Sequence, residues 1–599
     1  MMRFALVMML VLLGAAPLPA TRRADRATSK PARNQPVLDP LLDEAVAAVR
    51  NDALADFAKR VEPELAKAMG DIKKPGADAL ANIVRLATFH EFSRFFGKLK
   101  AGEGKEEQRL ALAWLIQQRE LASALLLSAS ELDPPDRVLQ VLRSLREVHK
   151  EKVAQYPNLT AALCLVWDEP GKGSGDDARA SAQTPVRLFN YFTRARLRSD
   201  VRTMPVDMLA FLADLVVSDD ELAYVQERYG SVGSPATIYF DLPYDEAATY
   251  DISGRDPEKA RTLPNLQHFG GSAVDQAYYA AQAGKALGLP TVIMRGIGVE
   301  TESVPAWIAY LKSSPSGTSW EHDQGRRNDH DGWPGDTVEP RTGDIINEGD
   351  LTLIASLEQT RPADRLASMA LAKSANVLPA EKQFAAYFKA VELSLGNRFA
   401  WNELGHLASK TQLKPAEQKQ VDDLYRRALL RRAPEYALNW RLRMITDRPP
   451  ADQVAALKKI GEEFRSSPQL FGLARIELGV AYEREKRYAD AIDAYQDAIQ
   501  HGADMGPIVA MAMSHIDPLL HKTAELEKLA KVYETAFGIT ERIRPAAWAR
   551  TTPFFMVGER YAYVLEELKD ENKAYGVRVQ LRNVHKLGQG PGVGPGASQ

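Results

Sequence analysis

The residues best placed to do chemistry in this 599-residue chain lie in HFGGSAVDQAYYAAQAGKALGLPTVIMRGIG, which starts at His268. Gly270 and Gly271 permit a tight turn. Ser272 can cap a helix, and Asp275, three positions on, can reach back to complete a capping box. The helix starting at Ala273 then carries the positive end of its dipole in the first turn, where it would lower the pKa of a thiol. A nucleophile suits that position, yet the residue there is an alanine. Ser272 is one residue away, but its hydroxyl is expected to be engaged as the cap. His268 is the base nearest to it in sequence and reads as a structural or exposed residue of a turn. The short HFGGS segment does not by itself establish a hydrolase.

Two other candidates carry less. The segment EHDQGRRNDHDGWPGD holds His322, Asp323, Asp329, His330, Asp331 and Asp336. Setting Gly332 on the invariant glycine of an EF-hand loop puts Arg327 and Val338 where the first and last carboxylates are required, so that reading fails. The His and Asp residues then read as a solvated loop, and no metal and no cofactor are assigned. Cys164 is the single cysteine, so it forms no intramolecular disulfide, and its apolar setting in AALCLVW describes a packed, unreactive thiol.

The elements that must position these residues follow from composition and periodicity. With 76 basic and 79 acidic residues the net charge is −3, which gives no footprint for nucleic acid. The opening MMRFALVMMLVLLGAAPLPA has the layout of a secretory signal peptide, residues 1–20. Its apolar run is short for a bilayer, so the expectation is a secreted or periplasmic protein with no membrane span after cleavage. Residues 21–38 read as a flexible leader. Apolar residues recur at helical spacing over 39–230, a helical domain broken by an exposed loop at 168–185. Over 231–352 the runs ATIYFDLPY, PTVIMRGIGV and VPAWIAYL predict strands around the central helix, hence an α+β domain. Helical periodicity returns over 353–586, and 587–599 reads as a disordered tail.

That last helical region repeats. Tyr387 with Ala390, Tyr425 with Ala428 and Tyr495 with Ala498 share one spacing. Leu478, Gly479, Tyr482, Ala491, Tyr495 and Ala498 fall on a pattern that resembles the tetratricopeptide repeat. An earlier, degenerate copy starts with Trp401, Leu404 and Gly405, and its second helix comes late. The resemblance implies a C-terminal α-solenoid of stacked helix pairs that binds a protein or peptide partner.

The middle region resembles the transglutaminase-like branch of the papain-like superfamily. Gly271, Asp275, Ala277, Gly288 and Pro290 match its Gly-x-Cys-x-Asp-x-Ala helix start and following turn, Pro305–Trp307 matches its His-Ala-Trp strand, and Glu339 with Pro340 matches its acidic position. The resemblance covers roughly residues 235–350 and implies a triad at Ala273, Pro305 and Glu339. Ala273 replaces the family's cysteine and Pro305 its histidine, and neither side chain can attack or relay a proton. The expected fold class is therefore multidomain α and α+β, with a non-catalytic transglutaminase-like domain. The alternative is an acyl-transfer enzyme using a relocated nucleophile such as Ser272 with His268.

Overall fold

The computed structural model describes residues 39–70, 72, 75–99, 105–169, 181–245, 247–296, 305–314, 317–326, 333–410, 413–502, 505–542 and 552–588. The expected signal peptide and leader lie outside them, as do Asp329, His330 and Asp331. Contacts divide the chain into Met1–Asp43 and Glu44–Gln599. In the first unit, the described residues open the helix Pro40–Arg50.

The described residues are predominantly helical, with one antiparallel sheet. Apolar helices fill the region up to Tyr229. Leu54–Ala68 packs on Ala77–Phe96, and Pro157–Val166, buried along almost its whole length, packs on Arg119–Ser128 and Val206–Ala213. Cys164 lies in that buried helix, and burial pushes its thiol pKa up. The loop expected at 168–185 ends early. Thr184–Phe192 is a helix with Pro185 in its first turn, where the missing proline N–H costs no intrahelical bond.

The sheet is formed by β1 (Thr291–Gly296), β2 (Ala306–Ser314), β3 (Gly317–Glu321), β4 (Gly335–Val338) and β5 (Ile345–Asn347), in the order β3-β2-β1-β4-β5. Every pairing is antiparallel, with Met294 opposite Trp307 and Arg295 opposite both Ala306 and Asp336. The first predicted strand is not one. Ser234 caps a helix over Pro235–Asp241, its hydroxyl accepting from the Ala236 amide, and the β-branched and aromatic run ATIYF winds helically behind Pro235. Ser-Pro is a helix-start signal, and here it outweighs β propensity.

After the sheet come paired helices. The first members begin at Pro362, Arg398, Pro434, Pro468 and Gly506, 34 to 38 residues apart, and a further one begins at Pro553. Those beginning at Pro362, Pro434, Pro468, Gly506 and Pro553 pack on their own second helices, and each of the first five packs on the next first helix. The final helix runs through Gly588, so the expected tail boundary moves past it.

Two glycines show why the helices approach so closely. A Cβ on Gly479 would lie 2.3 Å from Tyr495 Cε1, and one on Gly405 would lie 2.9 Å from Trp440 Nε1. Leu478, Tyr482, Ala491 and Ala498 are buried around the first contact. At the second, the Trp440 ring sits edge-on to Trp401 at 5.6 Å and stacked on Tyr425 at 5.5 Å. The aromatic that meets Gly405 thus comes from the next helix pair.

Candidate functional site

The helix Ala273–Ala286 begins as the sequence requires. Ser272 Oγ donates to Asp275 Oδ2 at 2.7 Å, the Ser272 amide donates to the same oxygen at 3.0 Å, and the Asp275 amide donates to Ser272 Oγ at 3.4 Å. Arg261 pairs with the other carboxylate oxygen of Asp275 at 2.8 Å and lies over the Tyr278 ring at 4.1 Å. Gly270, at φ 80°, makes the turn that a side chain would obstruct, because its Cβ would meet Pro243 O at 2.7 Å. The cap therefore holds the Ser272 hydroxyl. His268 is exposed, with its ring 4.6 Å from that of Phe269.

The helix Ala273–Ala286 packs on β1 and β2. Gly284, near the C-terminal end of the helix, packs against Thr291 at the start of β1, where its Cβ would meet Thr291 Oγ1 at 2.4 Å. From Gly284 back to Ala273 the helix spans about 16 Å, and β1 from Thr291 to Gly296 spans about 17 Å. At the far end of β1 the Gly296 amide donates to Pro305 O at 2.9 Å. Gly335 of β4 is the other partner of Gly296. Ala273 is half-buried, whereas Pro305 and Trp307 are buried, as is Tyr278.

Glu339 lies elsewhere. It follows β4, about 13 Å along the strand from Gly335, and is almost fully buried. Arg341 Nε donates to its carboxylate at 2.8 Å, and the Thr342 amide and hydroxyl donate at 3.1 and 2.8 Å. Burial opposes its charge, but Arg341, Arg398 and these hydrogen bonds outweigh that and hold the carboxyl below its usual range. Asp336, read as a loop residue, stands in β4 beside the Gly296–Pro305 pair; burial raises its pKa, against Arg295. His322 follows β3. Its two ring nitrogens are buried without hydrogen-bond partners among the described residues, and burial, then Arg326, drive its pKa down to about 4. No group of three metal-ligating side chains occurs among the described residues.

The sequence did not point to the charged junction around Glu339. Arg341 Nη2 pairs with Asp207 at 2.8 Å, and Nη1 donates to Ser128 O at 3.4 Å. Lys373 donates to Leu126 O and Ala129 O at the end of the helix Arg119–Ser128, the place where a cation meets the negative end of the dipole. Burial pushes that amine down to about 8. Arg341, Lys373, Arg398 and Glu403 line a cavity of about 470 Å³ beside a second of about 440 Å³. These residues are distant in sequence and match no short motif, so only the fold brings them together.

Compared with known proteins, the chain matches no family model and no curated relative.

Proposed function

We propose that this is an exported, non-catalytic protein in which a transglutaminase-like domain without its nucleophile is followed by tetratricopeptide-type repeats that bind a protein or peptide of the cell envelope. The observation that carries the reading is the start of the central helix. On the family pattern Ala273 stands for the nucleophile and Pro305 for the base, neither side chain can do that chemistry, and the adjacent Ser272 hydroxyl is engaged by Asp275. A serine nucleophile needs a base within hydrogen-bond reach of its hydroxyl. The group within reach of Ser272 is the capping carboxylate, itself paired with Arg261. The helix pairs at 34- to 38-residue intervals support the binding half of the proposal.

The test is labelling of the folded mature chain with a fluorophosphonate and with iodoacetamide. No labelling is expected from either, because Ser272 is a cap and Cys164 is fully buried. Fluorophosphonate labelling that disappears in Ser272→Ala would replace this reading with an acyl-transfer enzyme.

A further inference from the structure

The two cavities at the charged junction share Ser128, Asp207, Leu357, Met369 and Asn397 in their walls, so they adjoin. They differ in character. The smaller presents mainly apolar surface, from side chains such as Ala124, Val206, Leu357, Leu366 and Met369, with Glu120, Arg202, Asp207 and Arg365 at its wall. The larger is lined by charges of both signs.

Most of those charges are already engaged. Arg94 is held by Glu91 and Glu131, Arg341 by Glu339 and Asp207, and Lys373 by two helix-end carbonyls. Arg398 and Glu403, both on the helix Arg398–Lys410, retain bonding capacity. Arg398 Nε lies 3.0 Å from Asp350 Oδ1 without hydrogen-bond alignment, and its terminal nitrogens have no hydrogen-bond partner among the described residues. Glu403 accepts one long bond, from the Tyr387 hydroxyl at 3.5 Å. The guanidinium is ion-paired through Nε, but its two terminal nitrogens leave a planar fork for an entering acceptor. Its planar geometry matches a carboxylate.

We infer that this double cavity binds a short apolar peptide in its zwitterionic form, with the carboxylate on Arg398, the ammonium group on Glu403 and an apolar side chain in the smaller chamber. A fatty anion would satisfy Arg398 and the apolar chamber but leave Glu403 facing hydrocarbon or a second negative charge. A zwitterion answers both signs. Sites of this size at the junction of several structural segments, apolar with a few convergent polar groups, are where small ligands bind. This inference does not depend on the missing triad.

The experiment is calorimetric titration of the full chain with leucyl-leucine, N-acetyl-leucyl-leucine, N-acetyl-leucyl-leucinamide and decanoate. Leucyl-leucine should bind saturably and the doubly blocked peptide at least ~10-fold more weakly, since a hydrogen bond to a charged group accounts for about that factor. Arg398→Ala should weaken leucyl-leucine by a similar factor. Leu366→Trp should abolish binding by filling the apolar chamber. Glu403→Gln should remove the preference for leucyl-leucine over its N-acetyl form. If Arg398→Ala fails to fold, the other two variants, at partly exposed positions, carry the test. Equal binding of the blocked peptide, tighter binding of decanoate, indifference to Leu366→Trp, or no saturable heat up to ~10 mM would each overturn the inference.

Discussion

At Ala273 a methyl group occupies the point where unpaired helix amides and the dipole would stabilise an anion. If that field is present, it must act on a thiol placed there. In Ala273→Cys the thiol should titrate below the ordinary value of about 8.5, despite Asp275 nearby, because Arg261 neutralises that carboxylate. The rate of iodoacetamide labelling against pH measures this, with Cys164 as an internal buried thiol that stays unlabelled. A labelling pKa at or above the free-cysteine value would mean the half-buried position is not electropositive. The capping box was legible because Ser272 and Asp275 are three residues apart, and local geometry settles what they do. The Arg341 site was not. Its partners Asp207 and Ser128 lie 134 and 213 positions away, and no spacing rule reaches across such a distance. Trp440 was missed for a related reason: it fills the gap beside Gly405 from the following helix pair rather than from the degenerate repeat's own second helix.

Helices with strong local punctuation were the most legible elements. Proline stands in the first turn of the helices beginning at Pro362, Pro415, Pro434, Pro450, Pro468 and Pro553, and there it fixes φ where the N–H has no intrahelical partner. The same signal at Ser234-Pro235 was masked by the β-rich residues after it, which is why that helix reads as a strand. Within the helix pairs, glycine separates two opposite cases. Gly479 faces the Tyr495 ring with no room for a methyl group, whereas a Cβ on Gly576, in the helix Glu571–Gly588, would meet nothing within 4 Å. Gly479→Ala should therefore destabilise by about 1–3 kcal/mol through overpacking. Gly576→Ala should stabilise by up to about 1 kcal/mol through helix propensity alone. Urea unfolding of the two variants reads both signs, and a neutral Gly479→Ala would show that these helices do not pack at the distance described.

Across the whole of Glu44–Gln599, the sheet and the repeats meet through buried charge as well as apolar surface. Gly349 packs against the backbone of Glu435 and Tyr436, a Cβ there coming within 2.3 Å of Tyr436 N, and neighbouring Glu348 is held 3.4 Å from Arg326. Burial, with Glu435 and Asp323 adding to it and Arg326 opposing, raises the Glu348 carboxyl to about 7. In the unfolded chain it would titrate near 4.3. Between about pH 4.3 and the folded value the folded protein holds the extra proton, so its stability falls as pH rises through that window, and the loss is complete above it. The full effect is about 2 kcal/mol once the carboxyl's partial exposure is allowed for. Glu348→Gln stays neutral and should remove this contribution, flattening the fall in urea midpoint between pH 5 and pH 8 relative to the parent chain. Parallel pH profiles for the two proteins would mean that Glu348 ionises without cost in the fold, and that the contact between the helix Glu348–Ala355, which follows β5, and the helix Pro434–Arg443 is insensitive to its charge.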